Sequence, residues 1–259
     1  MLKITPLFSG SKGNCTLIQS DNTNILLDAG STYRSILAEL LRRGLTPDDI
    51  DAIVITHEHS DHINALPMWT KHASTPIYAP RALVSYLQLK ACFCQVSEVV
   101  DGMTIGNIHL DIFECSHDAR SCYGYRFGQG NKYFACVTDT GCVTDALVEF
   151  FAPCEAIMLE SNHDVDMLLK GEYSYPLKKR ILSDFGHLSN AQAAETLSKL
   201  HSKALKTVIL AHLSEKNNTH ELAFSSAVNM YAARGLTEGK DVHVYVAHQH
   251  NNEITIWLD

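Results

Sequence analysis

A layered α/β (α+β) domain is the fold class this sequence predicts, and three observations predict it. Short β-branched runs alternate with helical stretches along the whole chain, the strands fall into two β-rich halves, and no repeat, low-complexity tract or charge block interrupts them. No linker divides the 259 residues, so positions 1–259 are expected to form a single domain. A hydrophobic fraction of 46% against 19% charged residues suits an ordinary globular protein with a sizeable core.

The elements follow in order. KITPLF and NCTLIQ flank SGSKGN, whose two glycines and Ser/Asn content mark a hairpin-like turn. NILLDAG is a third strand, stopping at Asp28 and Gly30. Ser31 to Arg43 reads as a helix with Ile36, Leu37, Leu40 and Leu41 on one face. After LTPDDI, the run AIVIT is apolar throughout, as in strands buried on both faces, and delivers the chain to His57. Further strands are expected at 108–114, 122–127, 132–138, 155–160, 206–211, 242–246 and 253–257, with helices at 80–90, 142–151, 190–201 and 219–233.

Composition excludes some functions. No apolar run approaches the roughly 20 residues that span a bilayer. MLKITPLFSG lacks the basic and long apolar regions of a secretory signal, so a cytoplasmic protein with no membrane partner is expected. The eight cysteines are scattered through apolar segments such as KYFACVT and read as reduced thiols. Cys92 and Cys94, two apart in an expected helix, read as packing rather than a metal site. A net charge of −8 argues against non-specific coating of nucleic acid but leaves room for a local basic groove. Arg42 with Arg43, Lys178 to Arg180, and Lys199 with Lys203 and Lys206 are the candidates, each otherwise a solvated face.

THEHSDH places three histidines and two carboxylates within six residues at the end of a buried strand. Side-chain direction repeats every second residue in an extended exit, so His57 and His59 grip one metal ion. Ser60 caps a short helix whose first turn aims Asp61 and His62 at a neighbouring position. Imidazole mixed with carboxylate suits Zn, Mn or Fe, whereas closed structural zinc sites favour Cys and His alone. The remaining ligands are sought at other strand ends: His117 follows IHLDIFECS, Asp139 follows KYFACVT, and His212 follows TVILA. Each is weak alone; together they complete a dinuclear set.

In SDFGHLSNAQAAETLSKL, Ser189 and Gln192 have the spacing of a capping box, which places His187 just before a helix N-terminus. Such a position favours a bound phosphate, and an imidazole there can protonate a departing oxygen. The alternative is a loop histidine that caps the same helix. Ser11, Asn14, Asn217 and Asn218 read as turn and capping residues in preference to phosphate contacts, with Asn218 and Glu221 as a capping pair. His109, His201, His243, His248 and His250 read as background, and His163 has no role derivable from its surroundings in the sequence.

THEHSDH, His117, the Asp of TDTG and the His of AHLS resemble, in order, the metal motifs of the metallo-β-lactamase superfamily over nearly the whole chain. The resemblance implies a four-layer αββα sandwich holding two divalent ions. His57, His59 and His117 would hold one, Asp61, His62 and His212 the other, with Asp139 bridging; Asp61 counts also among the catalytic groups. Asp28 matches a family Asp that orients the ligand loop from behind. True β-lactamases of this fold lack the bridging Asp, so TDTG disfavours that activity; glyoxalase-type thioesterases keep it. The GHLSN segment resembles the GHST-type motif of the tRNase Z and phosphodiesterase branch, whose His pairs with a Glu, here Glu160.

FSGSKGNC, ESNHD, GHLSN and AHLSEKNN together resemble the YycJ/WalJ group of 5′ to 3′ DNA exonucleases. The implied chemistry is two-metal phosphodiester hydrolysis with a hydroxide held between the ions as nucleophile, and with Zn, Mn or Fe as the metal. DNA is the implied substrate. A small-molecule phosphodiesterase of the cyclic nucleotide or phosphonate type is the alternative, and a glyoxalase-like thioesterase ranks below both. Nothing in the sequence sets the oligomeric state.

Overall fold

Strand alternation sorts the apolar side chains into three packing layers in the computed structural model, which describes residues 1–200, 204–250 and 253–259. Strands β1 (Leu2–Phe8), β2 (Cys15–Gln19), β3 (Asn24–Leu27), β4 (Ala52–Val54), β5 (Ile77–Ala79) and β6 (Val96–Glu98) form one sheet in chain order. The second sheet runs through β7 (Met103–Ile105), β8 (Ile108–Glu114), β9 (Tyr123–Gln129), β10 (Lys132–Val137), β11 (Ala156–Glu160), β12 (Thr207–Ala211) and β13 (His243–Val246). Strand β14 (Ile256–Leu258) returns to pair antiparallel with β1. In each sheet the strands at one end are antiparallel and those at the other, β3 to β6 and β10 to β13, are parallel.

Helices α1 (Tyr33–Arg42), α2 (Ser60–Ile63), α3 (Leu66–Trp69) and α4 (Val84–Lys90) follow in the first half. The second half adds α5 (Asp145–Phe151), α6 (Val165–Lys170), α7 (Tyr175–Ile181), α8 (Asn190–Lys199) and α9 (His220–Ala233). Residues of one parity on each strand face the other sheet: Ile25, Leu27, Ala52 and Val54 meet Phe134, Met158 and Ile209. Residues of the opposite parity face helices: Leu26 and Ile53 pack with Ile36, Leu40 and Trp69, while Leu159 and Leu210 pack with Leu147, Leu197 and Ala227. Helix, sheet, sheet, helix is the αββα sandwich. Tyr125, Phe127 and Phe134 are fully buried between the sheets, each stabilising the fold by about 1.5–3 kcal/mol. The Tyr125 hydroxyl avoids a desolvation cost by donating to the Ile55 carbonyl at 2.7 Å.

Several expectations need correction. Ser60 is the first residue of α2 rather than its cap; His59 holds the cap position and makes no side-chain capping bond. Helix α9 is capped by Thr219, whose hydroxyl accepts from Leu222 N, and not by Asn218. Cys92 and Cys94 lie beyond the end of α4, with Cys94 donating to the Ala73 carbonyl; neither sits in a helix. All eight cysteines are free thiols. His201 and Lys203 fall outside the described residues. Among the described residues no helix is long and apolar enough to cross a membrane.

Candidate metal centre

Parallel strands end at a common edge, and all the chemistry sits there. Asp28 follows β3, His57 follows β4, Asp139 follows β10, Glu160 ends β11 and His212 follows β12. This carboxyl edge is where open α/β sheets place their ligands. Asp28, Asp139 and His212 have φ of 61°, 56° and 56°, and they are the only non-glycine residues with positive φ among those described. Left-handed backbone costs an L-residue roughly 1–2 kcal/mol, so each turn needs support from its neighbours. His212 N donates to Ser9 Oγ at 2.9 Å, and Asp28 N donates to the Val54 carbonyl at 2.8 Å.

The THEHSDH segment is stitched to the end of β3. Ala29 N donates to His62 O and Asn14 N to Asp61 O, both at 2.8 Å. A side chain at Gly30 would bring its Cβ to 1.6 Å from the Asp61 carbonyl, so only glycine permits the approach. Asn14 also shapes its own turn by accepting from Gly10 N at 2.9 Å, while its amide nitrogen lies 3.3 Å from Asp61 Oδ2. The turn reading of Asn14 therefore holds, with an added contact to the histidine loop.

Donor atoms converge in overlapping groups. Ligand atoms of His57, His59 and His117 lie within 4.8 Å of one another, as do those of Asp61, His62 and His212. Asp139 shares such a group with His57 and His62, and another with Glu160, His187 and His212. Thus all seven residues proposed from sequence as ligands come together, with Asp139 between the two triads. Its Oδ2 is 3.2 Å from His62 Nε2 and its Oδ1 is 3.8 Å from His117 Nε2.

The tautomers suit a metal. His62 Nδ1 donates to Asp28 Oδ2 at 2.7 Å, and His212 Nδ1 to Glu160 Oε1 at 2.8 Å. His117 Nδ1 donates to Gly186 O at 3.1 Å, and His57 Nδ1 to Thr56 Oγ1 at 3.0 Å. In each ring the outer nitrogen is occupied, which is how proteins orient metal-binding imidazoles. Buried His57 Nε2 and His212 Nε2 make no hydrogen bond at all. His59 Nδ1 stands 3.4 Å from His117 Nε2, the spacing of two nitrogens about 2.1 Å from a shared tetrahedral ion. The donor set fits divalent metal.

Two buried carboxylates stand behind the donors. Asp28 accepts from Thr56 N at 2.8 Å and from the Thr56 hydroxyl at 2.9 Å besides His62. Burial pushes its carboxyl up, an effect His62 and Thr56 only partly offset. Glu160 Oε1 accepts from His187 Nδ1 at 2.9 Å as well as from His212. Its Oε2 accepts from Thr140 N at 3.1 Å and Leu188 N at 3.0 Å. Burial works against this charge, but His187 and His212 outweigh it and bring the carboxyl down to about 2.

Ser189 caps α8 in a full capping box with Gln192. His187 does not cap that helix; it turns to Glu160 instead and lines a cavity of about 240 Å³. Ser11, His59, Asp61, Asp139, Arg180 and His212 share the lining. Burial lowers the tendency of His187 to hold a proton, yet Glu160 outweighs burial and raises its pKa.

Thr56, Ser9 and Asn162, whose amide donates to His212 O at 2.9 Å, also support the site. Only their neighbours in sequence hinted at them. Asn217 and Asn218 are buried in the loop before α9, where Asn218 donates to Ser161 O and Asn190 Oδ1; neither lines the cavity. His109 pairs with Asp111, His248 stacks on His220, and His250 meets Phe8, all away from the cavity lining.

A family model described as the β-lactamase superfamily domain matches residues 23–213. The chain belongs to the β-lactamase superfamily. It is 36% identical over 250 residues to the exodeoxyribonuclease WalJ of Streptococcus pneumoniae, covering 94% of this chain and 93% of that protein. Against the exodeoxyribonuclease YycJ of Bacillus anthracis it is 34% identical over 251 residues, covering 94% of each. Among solved structures of the superfamily, the metallo-β-lactamase fold protein YhfI from Bacillus subtilis matches with a TM-score of 0.75 at 18% identity, covering 98% of both chains. That likeness speaks for the fold.

Proposed function

We propose that this metal-dependent hydrolase cleaves phosphodiesters with two bound ions and works as a 5′ to 3′ DNA exonuclease in the cytoplasm. The observation that carries the reading is Glu160, which accepts from both His212 and His187 and so fixes a second imidazole beside the metal-type cluster. Exodeoxyribonuclease relatives matching over nearly the whole chain support DNA as the substrate.

In this reading His57, His59 and His117 would hold one ion, Asp61, His62 and His212 would hold the other, and Asp139 would serve both. Zn or Mn suits the ligands, and Fe is compatible with them. When bound, the ions supply positive charge for the non-bridging phosphate oxygens and activate water as nucleophile. Asp61 faces the cavity and orients the attacking water by accepting its hydrogen bond. His187, its Nδ1 fixed on Glu160, keeps a proton on Nε2 and delivers it to the departing oxygen. Asp28 holds His62 in the tautomer that leaves Nε2 for the metal.

The test is a substrate panel with purified protein and Mn or Zn. Shortening of 5′-phosphorylated duplex DNA is expected, with His57→Ala and Asp139→Ala both inactive. The net charge of −8 favours one second reading, a small-molecule phosphodiesterase. Cleavage of cyclic or aryl phosphodiesters without DNA cleavage would establish it, and cleavage of thioesters alone would defeat both.

A further inference from the structure

Helix α7 separates two concavities. Its lead-in residue Tyr173 and its residues Leu177, Arg180 and Ile181 line the catalytic cavity. The opposite side, with Tyr175, Lys178, Lys179 and Leu182, lines a groove of about 490 Å³ together with Leu169 and Ser183. The spacing accounts for this, because residues three and four apart share a helix face. A helix is roughly 10 Å thick, so the groove begins about one helix width from the catalytic cavity.

Apolar exposure is concentrated in this segment. Val165, Leu169, Tyr175, Leu182 and Phe185 are all exposed between 165 and 185, Tyr175 at 79% and Phe185 at 60%. Scattered exposed apolar residues are ordinary, whereas a contiguous set marks a contact surface. The exposed Phe185 precedes Gly186 of the cavity lining, and its carbonyl accepts from Asp118 N at 3.1 Å beside His117.

The charge is equally local. Of the three basic groups in the sequence, Arg42 and Arg43 are occupied by Glu39, and Lys199 pairs with Glu195. Among the described residues of these groups, Lys178 and Lys179 border the groove and Arg180 the cavity. Lys178 Nζ donates to the carbonyls of Leu169 and Gly171, tying α6 to α7, and Arg180 pairs with Asp118 at the mouth. The exposed Lys179 is left facing solvent along the groove.

We propose that α7 and its groove dock the single-stranded nucleotides adjoining the reacting one, with Tyr175 and Phe185 stacking bases and Lys179 and Arg180 contacting phosphates. Charge and continuity point to this occupant: on an acidic protein the groove carries the exposed Lys179, Arg180 joins it to the cavity lining, and the groove opens beside the cavity where the strand would be cut. Aromatic platforms with interleaved cations are how proteins hold single strands without reading sequence. This inference rests on the proposed nuclease activity.

The test compares a long 5′-phosphorylated single strand with thymidine 5′-p-nitrophenyl phosphate, which reaches the cavity alone. Tyr175→Ala and Lys179→Ala should each raise KM for the oligonucleotide about tenfold, with kcat and hydrolysis of the small ester unchanged. Tyr175→Phe should retain wild-type KM, since it keeps the stacking face. An unchanged oligonucleotide KM in Tyr175→Ala and Lys179→Ala overturns the proposal, as would equal impairment on both substrates. Wild-type protein that hydrolyses the small ester but neither the oligonucleotide nor duplex DNA defeats the nuclease reading itself.

Discussion

Asp28 and Glu160 are both buried carboxylates at the ends of parallel strands, each holding a histidine by Nδ1, yet they are loaded differently. Asp28 serves one ring and the backbone of its own loop, through His62 and Thr56. Glu160 serves two rings and two backbone N–H groups from separate elements, through His212, His187, Thr140 and Leu188. Their acidities diverge accordingly: burial prevails at Asp28 and raises its pKa, while the two imidazoles prevail at Glu160 and bring it to about 2. In the proposed function, Asp28 would therefore serve metal holding alone, whereas Glu160 would link a metal-holding ring to the proton donor His187.

The largest expected effect tests that coupling. Glu160→Gln should lower kcat by about 10²–10⁴ through the loss of an oriented proton donor, and saturating metal should not restore it. Recovery at high metal concentration would reduce Glu160 to the role of Asp28. His187→Ala separates the two tasks: kcat should fall by a similar factor of about 10²–10⁴, with metal affinity by calorimetry unchanged. Weakened metal binding in that variant would make His187 a ligand.

A smaller effect is expected at Asp28. Asp28→Asn should weaken metal binding by about 10–100-fold, with kcat at saturating metal close to wild type. A large loss of kcat at saturation would erase the contrast between the two carboxylates.

An effect on stability, apart from catalysis, belongs to His163, buried in the C-terminal half with neither ring nitrogen hydrogen-bonded. Burial lowers its pKa to about 4. Unfolded, it takes a proton near its ordinary 6.5, so between pH 6.5 and 4 the unfolded chain binds more protons. Stability is therefore intact above about 6.5 and falls as pH drops toward 4, by about 3 kcal/mol from this group. Urea unfolding of wild type and His163→Asn across that range should show the shallower slope in the variant, and equal slopes would discount the buried ring.

Legibility followed distance along the chain. THEHSDH was readable because so dense a run of imidazole and carboxylate donors seldom serves anything but an ion, and His117, Asp139 and His212 because each follows an expected strand and together they complete the set that THEHSDH begins. Glu160 was reachable only through resemblance, since a carboxylate ending a strand says nothing about which rings will reach it. Thr56, Ser9 and Asn162 act through partners that only the folded chain supplies. Strands β5, β6 and β7 have three residues each, too few for an alternating pattern. The α6 and α7 stretch was missed because Gly171 and Pro176 break its helical periodicity into short pieces.

The left-handed backbone at Asp28, Asp139 and His212 also sets folding against the proposed chemistry. Glycine would suit each turn better and relieve about 1 kcal/mol at each, but glycine offers neither carboxylate nor imidazole. Folding and function therefore pull these three codons in opposite directions. A descendant released from catalysis would be free to drift to glycine at the strand ends, keeping the sandwich while abandoning the ions.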